Sequence, residues 1–359
     1  MIGLAVAWRL ARAGRQVVVF ERDRAGWGAS RVAAGMIAPV AEAGFDDRDF
    51  VRFGRASRER YPSFVAELEA DAGVPVPFEA SGSMAVAVHR DDVEAMRRTY
   101  DYRVSVDLPV EWLDGTRARE IEPTLTPRVS AAMWIPTDGQ VDTRTLLPAL
   151  VRACKQRGVE IREGVNVEAV VLKGDAVAGV RTHEGEFHAG VVVVAAGAWS
   201  GTIGGLADDV APPVRPVKGQ IIRLKGLPGF ALRHVVRAPR AYLLPKPDGS
   251  VVVGATQEEA GFDLAPTAGA MKDILSHAWE VVPSIYDLPF EGVEVGLRPA
   301  SRDHRPVIGA TRVRGLIMAT GHFRHGISLA PATADAVCAG IVNGRFGDEV
   351  ASFAPSRFA

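Results

Sequence analysis

Two stretches of this 359-residue chain place residue types where they could hold a bulky anionic ligand. Near the start, Gly3 opens an apolar run at helical spacing (Leu4, Ala7, Trp8, Leu10, Ala11), Gly14 closes it, and a β-branched stretch from Gln16 to Glu21 follows. In a dinucleotide-binding unit the last glycine of Gly-x-Gly-x-x-Gly lets helix and strand pack closely. The helix N-terminus then faces the pyrophosphate, and an acid about 20 residues on binds a ribose. Glu21 lies 18 residues beyond Gly3, within that range. Only this last glycine is present; the first strand and the first two glycines would fall before Met1, so the sequence is expected to start inside the motif, as from a start codon set too far downstream. Taken alone, a glycine, helix, strand and glutamate in this order fit a helix–strand pair with no nucleotide role equally well. Near the other end, Gly321-His-Phe-Arg-His-Gly326 reads as a tight turn between a strand from Gly315 to Thr320 and a helix from Ile327 to Asn343, which offers a second helix N-terminus.

The elements between must position these two ends. Residues 22–39 are rich in Gly, Ala and Ser, as a backbone must be when it runs close against a flat ligand, although a flexible loop has the same composition. Phe50, Phe53, Tyr61, Phe64, Val65 and Leu68 predict an amphipathic helix over 48–72 that ends at Gly73. A strand over 83–89 precedes a helix capped by Asp91, and Asp142 or Thr143 caps a helix that runs through Gly158. Strands follow at 159–162, 167–172 and 177–182, and residues 190–199 (GVVVVAAGAW) read as a buried parallel strand ending in small residues, where a ligand could approach the backbone. Residues 212–260 hold several strands and a helix runs from Ala268 to Val282, a mostly antiparallel sheet with a covering helix, distinct from the nucleotide half.

Composition narrows the function. A net charge of -1 with 47% hydrophobic residues gives no basic field for nucleic acid or acidic membranes and favours small-molecule chemistry. The amino terminus carries its arginines after its apolar stretch, unlike a secretory signal, and the longest apolar run, residues 190–198, falls well short of the ~20 residues that span a bilayer, so the cytoplasm is expected. Cys154 and Cys338 lie far apart without metal-ligand spacing and read as core thiols. No G-x-S-x-G, H-E-x-x-H or P-loop occurs, so neither a nucleophile elbow nor a zinc site is expected.

Taken in order, IGLAVAWRLARAG with VVVFE, then GASRVAAGMIAP, VVVVAAGAWS, VRPVKGQ, YLLPKPDGSVVVGAT, VGLRP and ATGHFRHGISLAPATA span nearly the whole chain. This series resembles the FAD-dependent amine and amino-acid oxidoreductases of the D-amino-acid-oxidase superfamily, and within it the glycine oxidases of thiamine biosynthesis. The resemblance implies an α/β fold: a glutathione-reductase-type, Rossmann-like FAD-binding domain, N-terminally truncated, made of residues 1–80, 141–210 and 297–359. A mixed, mostly antiparallel α+β substrate domain would comprise 81–140 and 211–296. It implies that Glu21 binds the adenosine ribose with Arg22 beside it, and that Ala29, Ser30, Ala34, Gly35 and Met36 line the pyrophosphate and flavin. Met1 and Ile2 would occupy the two variable positions before Gly3, the Val167 backbone would meet the adenine, and Gly197 would lie where the strand end approaches the cofactor. His322, Phe323, Arg324, His325, Gly326, Ile327 and Ser328 would form the flavin-binding segment, the helix N-terminus facing the ring and stabilising its reduced anion.

A flavin takes the Cα hydrogen of an amine as hydride, so the protein need only hold the neutral amine and no acid/base dyad is required. A buried carboxylate needs a planar, permanently charged fork. The resemblance assigns that task to Arg298 of VGLRP, with Tyr242 shaping the pocket and Arg324 beside flavin and substrate. Taken singly, an arginine more often makes a structural ion pair and a tyrosine often belongs to the core. The family usually has Asn at His325 and an apolar residue near Gln257, which bears on side-chain selectivity. The implied reaction is oxidation of glycine or another small amino acid to its imine, with oxygen reduced to hydrogen peroxide and the imine hydrolysed or passed to thiazole assembly. The alternatives are a dehydrogenase of the same superfamily that uses another electron acceptor, and a truncated, non-catalytic remnant. No metal is expected, nor a nucleic-acid or membrane partner; a homo-oligomer, such as a tetramer, is.

Overall fold

A computed structural model describes residues 1–45 and 47–358. The opening helix, Ile2–Arg12, buries Leu4 to Trp8 and Leu10. It stops where Gly14 takes a φ of 75° and the Arg15 N–H bonds back to the Leu10 carbonyl at 3.0 Å. The next strand, Val18–Glu21, pairs in parallel with Glu160–Glu163. The expected burial on both faces is not found: Val18 is 46% exposed, because the strand has a paired neighbour on one edge alone and the rest of it lines a cleft.

Val192–Val194 lines the same cleft and pairs in parallel with Leu316–Thr320, which continues antiparallel to Val307–Ala310. The strand expected over 190–199 is thus three residues long. The chain leaves it at Ala195 and coils into a 3-10 turn, Gly197–Thr202, which Gly197 permits with a φ of 56°.

Helices Arg48–Ala72, Thr143–Gln156 and Ala330–Asn343 pack with the opening helix into one apolar core, in which Trp8 meets Phe64 edge-on at 5.2 Å. Their ends follow the sequence signals: Gly73 is left-handed at the first, and the Asp142 side chain accepts the Arg144 N–H at the second. The third differs from expectation. Residues 326–329 form turns and the helix proper begins at Ala330, because the Tyr61 and Ser57 hydroxyls hold the carbonyls of Ile327 and Ser328 and the Pro331 ring suits a first helical turn. The helix expected from Asp91 runs over Arg90–Ser105 with His89 at its N-cap.

The second large body is an eight-stranded sheet that is antiparallel apart from one parallel pair, Ser83–Ala87 with Val235–Ala238. From one edge it runs through Phe290–Ser301, Val214–Lys225, Ser250–Gly254, Ala241–Pro245 and Val235–Ala238, and then Ser83–Ala87, Ala131–Ile135 and Glu111–Asp114. Helix Ala268–Val281 covers one face, seating Ile274, Ala278 and Val281 on Ile222, Leu243 and Val253. The opposite face supplies Gly219, Tyr242, Gly254 and Arg298 to the cleft. Among the described residues no helix is long and apolar enough to cross a membrane.

Candidate cofactor and substrate cleft

One cleft of ≈ 1460 Å³ runs between the two bodies, and the residues singled out in the sequence lie along it. That exceeds the ~300–1,000 Å³ of a drug-sized pocket and leaves room for a dinucleotide beside a small substrate. At one end stands Glu21, the last residue of its strand, whose carboxylate accepts the Asp23 N–H at 3.0 Å and is pushed up by burial. Arg22 does not reach across the cleft: its guanidinium lies 3.7 Å over the ring of Trp199 and pairs with Asp23 at 3.0 Å. Val167 lines the same end, and Ile2 lies beside Met1, whose ammonium meets the Ser30 hydroxyl at 3.1 Å. A Cβ on Gly3 would sit 3.2 Å from that of Ala195, which is the close helix–strand packing expected of this glycine.

The middle is walled by small residues. Ala29, Ala34, Gly35 and Met36 all face the cleft, and Gly35 is required twice over, by its φ of 88° and because a side chain there would strike the Val141 carbonyl. The buried ammonium of Lys246 pins this segment by donating to the Ala34 carbonyl at 2.5 Å and to Gln140 at 3.1 Å. Burial lowers its pKa to about 8.

At the far end, the segment 322–328 folds into a cup. His322 is buried against the Thr333 hydroxyl at 3.0 Å, His325 against the Phe50 ring at 4.6 Å, and Phe323 stacks on His304 at 4.6 Å. Burial pulls the two buried histidines down to about 3 and about 4, so both are neutral near pH 7 and serve packing. Tyr61 and Ser57 each donate at 2.7 Å to the carbonyls of Ile327 and Ser328, while no acceptor among the described residues takes the N–H groups of Gly326, Ile327 or Ser328. The unpaired donors expected of a helix start are therefore present, supplied by the turn that precedes the helix.

The large sheet provides the polar wall. The Arg298 guanidinium lies over Gly219 and donates to the carbonyls of Thr256 at 3.0 Å and Lys218 at 3.3 Å. Tyr242 lays its ring over Gly254 in the same manner, and burial keeps the phenol protonated. Arg324 is tied down, its Nε 2.5 Å from Glu42, which also pairs with Arg237. Burial alone would raise Glu42, but these two arginines outweigh it and hold the carboxyl at about 2.

Sequence reasoning missed Gly219, Gly254, Lys246, Glu42 and Arg237. The two glycines carried a usable sign, since an isolated glycine inside a strand marks close approach. Glu42 lies in an irregular segment with no periodicity to betray it. Among the described residues no three His, Cys, Asp or Glu side chains are grouped as a metal requires.

A dinucleotide-sized cleft, an acid at a strand end, a segment of small residues and free N–H groups in the 326–328 turn make a dinucleotide-binding site of the α/β class. The chain belongs to the DAO family of FAD dependent oxidoreductases, which it matches over residues 1–339. It is 32% identical over 362 residues to the bifunctional protein ThiO/ThiG of Trichormus variabilis, covering 100% of this chain and 54% of that one. The chain thus spans about half the length of the curated bifunctional relatives it matches. It is 31% identical over 336 residues to a glycine oxidase of Geobacillus kaustophilus, covering 93% of this chain and 88% of that one. A solved structure of glycine oxidase from Geobacillus kaustophilus superposes with a TM-score of 0.93 and 31% identity over 99% of this chain and 96% of that chain. The residues present fit FAD: the small-residue wall leaves the room and the cup at 326–328 leaves the donors.

Proposed function

We propose that the protein oxidises glycine or another small amino acid at its Cα–N bond to the imine, which water converts to the 2-oxo acid and ammonia. The observation that carries this reading is the pair Arg298 and Tyr242, each laid over a glycine of the sheet at the end of the cleft where the free N–H groups lie. A bound FAD would supply the acceptor for the Cα hydrogen, taken as hydride, and the route by which the two electrons pass to oxygen as hydrogen peroxide. Arg298 binds the substrate carboxylate through its planar fork, and the two backbone carbonyls behind it fix its orientation. Tyr242, protonated, adds a donor at the same carboxylate. Arg324, half-exposed and held by Glu42, closes the mouth beside the cup. The N–H groups of Gly326 to Ser328 favour negative charge opposite them, so the protein stabilises the electron-rich state without an acid/base residue. Under this reading residues 1–80, 141–210 and 297–359 carry the cofactor and 81–140 and 211–296 the substrate side, with Arg298, on the strand Phe290–Ser301 that crosses the boundary, and Arg324 reaching the substrate from the cofactor part. The likeness to ThiO/ThiG supports an imine handed on to thiazole assembly.

The test is the visible spectrum of the protein with FAD, before and after anaerobic glycine, followed by admission of air. Bleaching by glycine and peroxide on reoxidation are expected. Bleaching without peroxide in air would place the enzyme among the dehydrogenases, and a flavin-bound protein that no small amino acid bleaches would overturn the reading.

A further inference from the structure

Of the three arginines at the substrate end of the cleft, two are engaged by the protein's own carboxylates. Arg237 pairs with Glu42 and also feels the charge of the fully buried Asp138. Glu42 turns its other oxygen to the Nε of Arg324 at 2.5 Å. Arg298 differs: it donates to two neutral carbonyls and makes no ion pair among the described residues. Glu258, a carboxylate that acts on it from farther off, is held by Gln220 at 2.8 Å and by Thr256 at 2.5 Å. Arg324 lies close enough for its charge to act on Arg298, and its side chain is 50% exposed, so a ligand seated on Arg298 can reach it. A second carboxylate brought to Arg324 would, however, also be brought up to Glu42, which lines the cleft and which its two arginines keep ionised. Like charges held together in this way are a means of rejecting a ligand.

We propose that Glu42 is a specificity-determining residue: by occupying Arg324 from within, it leaves Arg298 as the single open carboxylate site, so that the enzyme takes amino acids with one carboxylate and rejects those with two. Arg237 anchors Glu42 from behind, on the same sheet face as its cross-strand neighbour Tyr242, and takes no part in binding the ligand. The inference rests on the amino-acid reading above; the bonds broken and formed are those already given.

The deciding experiment is calorimetric titration of the FAD-supplemented protein at pH 8 with two isosteric pairs, malonate against malonamate and succinate against succinamate. The members of each pair differ in the second charge alone, and no turnover is needed. In the wild type neither dianion is expected to bind more than threefold tighter than its amide. E42Q frees Arg324 and should turn the preference toward the dianion by at least tenfold, and E42Q/R324Q should lose that gain. A wild type that already favours either dianion by more than threefold overturns the inference without recourse to any variant. So does a flavin-loaded E42Q that shows no gain, or a gain that survives in E42Q/R324Q, which would come from the general field of the cleft and not from Arg324. Kinetics then separate the two readings. Oxidation of glycine and aspartate with equal kcat/KM sinks the restriction alone, whereas discrimination between the probes without oxidation of any amino acid sinks the reaction and leaves the restriction.

Discussion

The guanidinium of Arg298 lies flat over Gly219, the residue of the neighbouring strand that has no side chain to hold it away. A methyl group at 219 would occupy the space of the guanidinium itself. The Gly219 backbone is extended, so alanine is tolerated there locally and the change acts on Arg298. Gly219→Ala is expected to raise KM for the amino acid roughly tenfold or more, the scale on which ~1 Å of misplacement acts, with flavin binding kept. Steady-state kinetics and a flavin titration check both halves; an unchanged KM would show that Arg298 does not hold the carboxylate.

Arg298→Lys keeps the charge and loses the fork. A lysine ammonium at 298 can reach neither both carboxylate oxygens in plane nor the Thr256 and Lys218 carbonyls at once. Loss of a bidentate charged pair is worth about 2–3 kcal/mol, so kcat/KM is expected to fall roughly 30- to 150-fold. Activity on an uncharged amine should fall far less. A parallel loss on both substrates would indicate that the substitution disturbs the sheet and not carboxylate recognition.

What was legible in the sequence follows from how local the cause is. Asp142 and Gly73 announced helix ends because a cap is an interaction over a few residues. The strand at 192–194 is shorter than its sequence suggests because six apolar residues in a row, Val191 to Ala196, say nothing about how many neighbours a strand finds, and this one finds a single partner. The helix expected at Ile327 begins at Ala330 because Tyr61 and Ser57, more than 250 residues away, pin the intervening carbonyls. Arg298, Tyr242 and Arg324 were named from a resemblance; the glycines beneath the first two and the carboxylate beneath the third come from strand register and loop packing, which no local pattern encodes.

Acid should destabilise the protein through its buried histidines. An unfolded histidine titrates near 6.5, while burial lowers His322 and His325 to about 3 and about 4. The unfolded chain therefore takes up protons first as the pH falls, so stability is full above about 6.5 and declines toward 4. His325→Asn removes one of these groups and should flatten the decline, by at most about 3 kcal/mol between the two limits. Thermal melts at several pH values from 7 to 4.5, without added flavin, provide the check; identical slopes for both proteins would mean that His325 is not buried neutral.

Loop position ties the two ends of the cleft together through Trp199. One side of its ring carries Arg22, next to the acid that ends the first strand, and it stacks on Phe262 with centroids 5.4 Å apart. Phe262 belongs to the segment after the Ser250–Gly254 strand, which lines the cleft through Ala255, Thr256 and Gln257 and is anchored by the buried Lys218 ammonium, a 2.5 Å donor to both Asp263 and the Ala265 carbonyl. Of the two tethers the lysine should dominate. Phe262 is 45% exposed, so its stacking is worth under about 1 kcal/mol, whereas the buried Lys218 ammonium makes two charge-assisted hydrogen bonds, to Asp263 and to the Ala265 carbonyl, and loses both at once on substitution. Lys218→Met should therefore speed amide exchange in 257–266 by roughly tenfold or more, and Phe262→Ala by only a few-fold. If Arg22 and Trp199 contact the cofactor, added FAD should slow exchange in this same segment in the wild type, and do so less in Phe262→Ala. Hydrogen-exchange mass spectrometry reads all three. Exchange in 257–266 that ignores FAD while the 322–328 segment responds would show that the loop moves independently of the cofactor end, and that Trp199 is a packing residue alone.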